Sequence, residues 1–253
     1  MPPPIRELAA VARLTNEGLA ERVGLVGNRT SRRDALYGLL RREQAVFASA
    51  ESRPRSEVSR ILDFAQAAYG DLVGVMVGRD DSLLDTGRDG EWSLRDVLRH
   101  AMAVELRYAA QVDYSATRAE TDPVEIPPSL LPCDRLSPPE PEFAGSRDGG
   151  ILDVLELLGK ARAGSDVRLA KVPDSALTRP SFWGMARVDV RLRLHQMAAH
   201  LTESAIQTEK IVGGGGEPRA IVRRCCATRG MHERWSREEE RTVLDESYRA
   251  LLS

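Results

Sequence analysis

The chain has 253 residues, 42% of them hydrophobic, which is enough to bury a sizeable core in one large domain or in one domain with extensions. Its 36 basic and 38 acidic residues nearly cancel, so charge gives no reason to expect a nucleic-acid or anionic-lipid partner. The sequence contains neither a run of about 18 apolar residues nor a signal-peptide pattern, and we expect a cytoplasmic protein without a membrane partner.

Helical periodicity dominates the first half of the chain. Ser31 with Asp34 three positions later, a weaker form of the capping box, predicts a helix over residues 32–50. Apolar residues at three-four spacing predict an amphipathic helix at 56–77. A third helix, over residues 92–117, is predicted to start at the capping residue Ser93. His100 lies on the apolar stripe of this helix, so we expect its side chain to point inward.

Residues 119–148 have a different composition. They carry half of the chain's 14 prolines, including the run IPPSLLPCDRLSPPEPE, and cannot sustain a helix or a central strand. We expect either a long ordered crossing or a mobile loop. Helical spacing resumes at residues 149–171.

The next segment, ARVDVRLRLHQ, alternates apolar and polar residues as a half-buried strand does. With the following MAAHLTESAIQTEKIV it forms about 26 residues without Gly or Pro, and this length favours one helix over residues 186–212. Arg193, Met197, His200 and Ser204 share one stripe of that helix. The glycines at 213–216 lack the Lys and Ser/Thr of a phosphate-binding loop, so they predict a helix stop and a connector.

The C-terminal segment predicts one more helix. SREEERTVLDESYRALL opens with Ser236 and has Glu239 three positions later, which is the spacing of a capping box. The sequence therefore predicts helical structure beyond the glycine run.

Four of these helices carry a resemblance to a known family. The helices at 56–77, 92–117, 149–171 and 186–212, with EWSLRDVLRHAMAVE on the second and HLTESAIQTEK on the fourth, resemble the DinB superfamily. The resemblance implies an all-α protein, a DinB-like four-helix bundle with a long crossover, and it suggests a homodimer. It covers about residues 54–214, which leaves 1–53 and 215–253 as helical extensions at the two termini.

The resemblance also implies a metal site. The family's histidine on the second helix corresponds to His100, and its acidic residue five positions later corresponds to Glu105. The fourth helix of the family carries two histidines four apart, and His200 and Ser204 occupy those places here. The implied ion is divalent, zinc or nickel, with His100 and His200 as ligands. A serine oxygen is a weaker donor than an imidazole, so we expect a degenerate site unless Glu203 or Glu105 supplies a ligand.

Several functions remain open. Family members with known activity include transferases that use low-molecular-weight thiols such as mycothiol or bacillithiol, so the first hypothesis is a metal-dependent transferase acting on a small-molecule substrate, with the proline-rich loop as a wall or gate. The second is a metal-free enzyme or ligand-binding protein using the same interhelical pocket, which the missing third histidine favours. The third is a structural or regulatory helical protein. Nucleic-acid binding is a distant fourth because of the balanced charge.

The other histidines and the cysteines match no site. His195 lies five residues before His200, a separation of about 140° around a helix, so the two cannot hold one ion together. We interpret His195 and His232 as surface or packing residues. The three cysteines show neither a disulfide framework nor CxxC spacing, and Cys225 and Cys226 have no acid-base partner nearby in sequence that would make them nucleophiles.

Overall fold

Helices make up most of the chain in the computed structural model, which describes residues 4–25, 28–87 and 90–251. The described helices are α1 (Ile5–Ala12), α2 (Asn16–Ala20), α3 (Arg32–Glu51), α4 (Glu57–Met76), α5 (Leu94–Thr117), α6 (Gly145–Asp148), α7 (Ile151–Leu169), α8 (Val190–Val212), α9 (Glu217–His232) and α10 (Glu238–Ala250). Two antiparallel hairpins accompany them, formed by β1 (Arg22–Leu25) with β2 (Asn28–Ser31) and by β3 (Pro180–Trp183) with β4 (Ala186–Asp189). The mostly helical class expected from the sequence is confirmed.

Four long helices surround the main core. α5 packs between α7 and α8, α8 packs on α4, and α4 also contacts α7, so the four helices form a closed ring. α9 lies on α4, and α3 lies on α9. One cluster of buried apolar side chains runs through all of these helices. Within the described residues, none of the helices combines the length and apolar character needed to span a lipid bilayer.

Short polar side chains begin the two helices that matter most for the site. The Ser93 hydroxyl accepts a hydrogen bond from the Asp96 amide at the start of α5, and the Asp96 carboxylate accepts one from the Ser93 amide. This is the cap that the sequence predicts. At the start of α8, the Asp189 carboxylate accepts a hydrogen bond of 2.8 Å from the Leu192 amide. Both caps fix where the helix begins and therefore which residues face inward.

The prediction of one helix over residues 186–212 is wrong at its start. Ala186–Asp189 is strand β4, paired with β3 in the register Trp183↔Ala186 and Pro180↔Asp189. The chain reverses at Gly184, whose φ of +55° suits a residue without a Cβ. The alternating pattern therefore marks a strand for its first four residues, and Asp189 ends the strand and caps the helix.

The predicted capping box at Ser236 and Glu239 is also wrong, by one residue. Arg237 is the N-cap residue of α10, and its amide donates a 2.7 Å hydrogen bond to the Glu240 carboxylate. Three successive glutamates, at 238 to 240, offer the same spacing in adjacent registers. Spacing alone therefore does not show whether Ser236 with Glu239 or Arg237 with Glu240 forms the cap.

The proline-rich segment is an ordered crossing. Ile126 and Phe143 are 8% and 2% exposed, so both ends of the segment are anchored in apolar surroundings. The guanidinium of Arg107, on α5, donates a hydrogen bond of 2.5 Å to the Cys133 carbonyl in its middle. α6 begins only after the last of its prolines, Pro141. The segment therefore lies against α5 and forms one wall beside it.

Candidate functional site

His100 of α5 and His200 of α8 meet between their helices. Their ring centroids lie 5.0 Å apart, and the ring planes are inclined by 69°. Both side chains are partly buried. The two residues are a hundred positions apart in sequence, and the packing of α5 on α8 brings them together. We call them the histidine pair.

The proline-rich crossing determines the tautomer of His100. Its Nδ1 lies 2.5 Å from the backbone carbonyl oxygen of Arg135. A carbonyl oxygen only accepts hydrogen bonds, so Nδ1 carries the proton and donates it, and Nε2 of the neutral ring keeps its lone pair. A backbone carbonyl behind one imidazole nitrogen is the arrangement that commonly orients metal-binding histidines.

Both imidazoles are held in the neutral form. Burial lowers the pKa of His100, and the nearby charge of Arg135 lowers it further, while the hydrogen bond to the Arg135 carbonyl acts in the opposite direction. Burial lowers the pKa of His200 to about 4, and the neighbouring His100 contributes in the same direction. At neutral pH the pair therefore presents uncharged nitrogen donors and acceptors.

A row of rings and one guanidinium extends from the histidine pair along the contact between α5 and α8. The Trp92 ring lies 4.8 Å from that of His100, in an edge-on arrangement. On the other side, the Tyr108 ring lies 6.0 Å from that of His200. The guanidinium carbon of Arg193 lies 4.3 Å from the centre of the Tyr108 ring. The histidine pair is thus the middle of a row that begins at an exposed indole and ends at a buried cation.

Ser204 faces the backbone of its own helix. Its hydroxyl donates a hydrogen bond of 2.9 Å to the carbonyl oxygen of His200, one turn earlier, and its side chain is almost completely buried. Serine hydroxyls in helices commonly form this bond to the residue four positions before. In this rotamer the hydroxyl proton is engaged with the helix.

The two glutamates considered as replacement ligands lie elsewhere. Glu203 is exposed. Glu105 is 2% exposed and forms an ion pair of 2.5 Å with Arg162 of α7. Within residues 4–25, 28–87 and 90–251, no group of three or more His, Cys, Asp or Glu side chains is placed to hold a metal ion. The structure therefore brings His100 and His200 together and leaves both carboxylates outside the pair.

The remaining histidines occupy the environments expected of them. His195 is exposed on α8, with its ring 6.0 Å from that of Phe64. His232 is fully buried, and its Nε2 lies 2.5 Å from a carboxylate oxygen of Glu43. The first is a surface residue and the second a packing residue.

None of the three cysteines is an activated thiol; Cys225 and Cys226 are buried, and Cys133 is partly buried. Burial raises the pKa of Cys225 to about 12, and burial raises the pKa of Cys226 well above its ordinary value. Burial also raises the pKa of Cys133, whose Sγ lies 3.8 Å from the carbonyl oxygen of Ala103. A thiol nucleophile needs a lowered pKa, so these three side chains do not have the character of a catalytic cysteine.

Two cavities lie along the contact between α5 and its neighbours. One, of about 250 Å³, is bounded by Glu91, Trp92, Val97, Gln207, Lys210 and Ile211. The other, also of about 250 Å³, lies between α5, the proline-rich crossing and the β3–β4 hairpin, where Arg107, Gln111, Ser115 and Ser181 supply polar groups. Both are smaller than the roughly 300–1,000 Å³ of pockets for drug-sized ligands, so they suit small molecules.

Comparison with family models, with curated proteins and with solved structures finds no match. The site is therefore argued from its own residues. Homodimer formation and a cytoplasmic location remain predictions from the sequence.

Sequence reasoning identified the histidine pair but gave no role to Trp92, Tyr108 or Arg193. The available signal was weak: Arg193 and Tyr108 lie on the inward stripes of α8 and α5, and a charged residue on an inward stripe is unusual. Trp92 precedes the helix cap and shows no periodicity. Only the packing of the two helices shows that these side chains and the histidine pair form one row.

Proposed function

We propose that this chain is a DinB-like, small-molecule transferase whose reacting site is the histidine pair, used as a degenerate site for a divalent ion such as zinc or nickel. The observation that carries the proposal is the 5.0 Å contact between two neutral imidazoles on separate helices. The hydrogen bond from His100 Nδ1 to the Arg135 carbonyl adds the outer support that such ligands require.

The residues present fit a two-ligand site better than a three-ligand site. His100 Nε2 is free to bind, and imidazole suits both zinc and nickel. The hydroxyl of Ser204 is engaged with the helix backbone and is a weak donor. Catalytic zinc sites typically have three protein ligands and an open position, so a site with two has more open positions and a lower affinity.

A bound ion would supply Lewis acidity, which lowers the pKa of a coordinated thiol or water. The thiol class that the family resemblance implies, of which mycothiol and bacillithiol are examples, is the corresponding co-substrate. The chain's own contribution is to fix the two imidazoles and to shield them with the proline-rich crossing. The substrate is a small molecule, because the two cavities along α5 are small.

One observation favours a second candidate function. The Ser204 bond to the His200 carbonyl and, among the described residues, the absence of a third ligand suit a metal-free protein that binds an organic ligand at the histidine pair. In that case His100 Nε2 accepts a hydrogen bond, and the rings of Trp92 and Tyr108 provide apolar contact. The two candidates share a site and differ in whether an ion is bound.

Metal content distinguishes the two candidates. The protein is purified without chelator and without an affinity tag rich in histidine, and its metals are measured by mass spectrometry before and after incubation with zinc or nickel. We expect binding in the wild type that is lost in His100→Ala and in His200→Ala. His195→Ala is the matched control, since it removes an exposed imidazole from the same helix. A wild type that takes up no added ion, or variants that bind as the wild type does, would reject the metal-site proposal in favour of the metal-free one.

A further inference from the structure

Arg193 is a buried cation without a counter-charge. Its side chain is fully buried on α8. Its two terminal nitrogens donate hydrogen bonds to the amide oxygens of Gln196 and Gln111, its plane lies over the Tyr108 ring, and its Nε has no partner. Among the described residues, no carboxylate lies within 4.0 Å of it, although buried charges in proteins are ordinarily paired.

The other fully buried arginines show the ordinary arrangement. Arg162 forms an ion pair of 2.5 Å with Glu105, and Arg229 forms one of 3.0 Å with Glu43. These three arginines are among the largest fully buried side chains of the described residues. Arg193 alone of the three lacks a carboxylate partner. Arg193 therefore has neutral amide partners where the other two buried arginines have carboxylates.

A cavity lies on the other side of one of its neutral partners. Gln111, which accepts a hydrogen bond from Arg193, lines the cavity of about 250 Å³ between α5, the proline-rich crossing and the β3–β4 hairpin. Arg107 lines the same cavity, and its guanidinium donates a hydrogen bond to the Cys133 carbonyl. Ser115 and Ser181, joined by a 2.9 Å hydrogen bond, form its buried polar floor.

We propose that this cavity binds the carboxylate of a small organic acid, which takes the place of the Gln111 amide on Arg193 and is also attracted by Arg107. A planar guanidinium matches a carboxylate with two parallel hydrogen bonds, and an ionised acceptor forms stronger bonds than a neutral amide does. The cavity wall has one basic residue, Arg107, and one acidic residue, Glu125, which is exposed. The excess of positive charge at the cavity therefore comes from the buried guanidinium of Arg193 behind Gln111.

The position of the cavity gives the proposed function a substrate class. Arg193 precedes His200 by seven residues, which is about 10 Å along a helix, and Tyr108 contacts both side chains. The proposed carboxylate subsite is therefore about 10 Å along α8 from the histidine pair, and the Tyr108 ring contacts both. The substrate class rests on the proposed function, whereas carboxylate binding at Arg193 does not.

The test is calorimetric titration of the chelator-treated full-length protein with acetate, propionate and succinate, at an ionic strength held constant with chloride. We expect saturable binding of at least one of the three acids, weakened by about tenfold or more in Arg193→Met. Arg187→Met is the matched control, because it removes an exposed arginine from the neighbouring hairpin, and it should bind as the wild type does. No binding in the wild type, or equal binding in Arg193→Met, would overturn the proposal.

A second variant covers the case in which Arg193→Met does not fold. Gln111→Ala keeps Arg193 and removes the amide that occupies it, so it should bind the same acid more tightly. Weaker or unchanged binding would contradict the displacement of Gln111. If the cavity binds inorganic phosphate and none of the three carboxylic acids, the proposed ligand class is wrong.

The outcome is separable from that of the metal-site proposal. The titration is performed without metal, and His100→Ala should still bind the acid. If the metal measurement fails and the acid still binds, only the reacting site is wrong. If the metal binds and the acid does not, only the carboxylate subsite is wrong.

Discussion

His200 has the most strongly shifted ionisation of the histidine pair. An imidazole in an unfolded chain titrates near pH 6.5, whereas burial and the neighbouring His100 lower the pKa of His200 to about 4 in the folded protein. Between these two values the unfolded chain binds a proton that the folded chain does not. The neutral imidazole therefore stabilises the fold fully above about pH 6.5, and this contribution is lost as the pH falls toward 4.

The pH dependence of stability checks this shift. We expect the free energy of unfolding, measured with urea at pH 7 and pH 5, to fall less in His200→Phe than in the wild type, because a phenyl ring cannot bind a proton. His195→Phe, at an exposed position of the same helix, should keep the wild-type difference. Equal differences in the wild type and in His200→Phe would show that the ring of His200 is protonated as readily in the folded chain as in the unfolded one.

Ser204 is the second residue whose identity sets the strength of the site. Replacing it with histidine adds an imidazole one turn after His200 on the same face. We expect Ser204→His to raise the affinity for zinc or nickel by about tenfold or more, since changes around a metal site commonly have effects of that size. Competition with a coloured chelator measures the change. An unchanged affinity would mean that the serine is not what weakens the site.

At the residue scale, sequence reasoning found the pair and missed its surroundings. The inward stripes of α5 and α8 and the family resemblance select His100 and His200. The partner of Arg193 was not predictable, because Gln111 lies 82 positions away and a glutamine shows no pattern that assigns it to an arginine. The hydrogen bond to the Arg135 carbonyl was also not predictable, since every residue has a backbone oxygen and residue type does not indicate which one His100 contacts.

At the element scale, glycines set how closely α9 packs on α4. A Cβ added to Gly70 of α4 would lie 2.5 Å from the Cys226 carbonyl oxygen and 3.3 Å from the Gly230 Cα, both on α9. The two backbones touch at this point. The close approach requires residues without side chains on both helices, because backbone atoms cannot move aside as a flexible side chain can.

A pair of glycine substitutions tests this packing. Gly70→Ala should destabilise the protein by about 1–3 kcal/mol through overpacking. Gly164→Ala is the matched control: it lies inside α7 with open space at the added Cβ, so it should stabilise by about 0.5–1 kcal/mol through helix propensity. Thermal unfolding of both variants shows whether each substitution raises or lowers the stability of the protein. A neutral Gly70→Ala would contradict the close contact between α4 and α9.

Apolar periodicity is sufficient to predict some helix boundaries of this chain and insufficient for others. The predicted helices at 56–77 and 92–117 are α4 and α5 to within two residues, because a long apolar stripe and a serine cap agree. At residues 186–189 the choice between strand and helix depends on β3, which pairs with them. Because β3 lies outside the segment, the apolar pattern of residues 186–212 cannot show that the first four residues pair with it.

At the scale of the whole molecule, a buried charge cluster joins the two ends of the chain. Glu43 of α3 accepts hydrogen bonds from Arg229, and its carboxylate lies 2.5 Å from the Nε2 of His232, also on α9. Arg229 also forms an ion pair of 2.8 Å with Asp245 of α10. Glu43, Arg229 and His232 are all fully buried. The cluster thus links an N-terminal helix to the last two helices.

Removing one member of this cluster should be costly. Glu43→Ala leaves a buried arginine and a buried histidine without their shared carboxylate, and breaking a buried pair in this way typically costs about 3–5 kcal/mol. Glu238→Ala, at an exposed position, is the control and should change stability by less than about 0.5 kcal/mol. Urea unfolding measures both. A loss for Glu43→Ala as small as that of the control would mean that the ends are held by other contacts.

The sequence predicted helices in both extensions but not how they dock. Capping-box spacing marks the start of α3 at Ser31 and the start of α10 to within one residue. The docking of α9 depends on Gly70 and Gly74 of α4 and on the charge cluster around Glu43, which are long-range contacts between residues of ordinary type. The boundaries at residues 53 and 215 stay predictions from the resemblance.

The most direct test of the central claim is the imidazole nitrogen NMR spectrum of the full-length protein during titration with zinc. The chain has only four histidines, so each can be assigned with a single substitution. We predict that His100 is the Nδ1-protonated tautomer before zinc is added, and that the ring nitrogens of His100 and His200 shift together and saturate at an equimolar ratio. His195 and His232 should not shift. Shifts confined to His195 or His232, or no shift in any imidazole, would contradict the assignment of the histidine pair as a metal site.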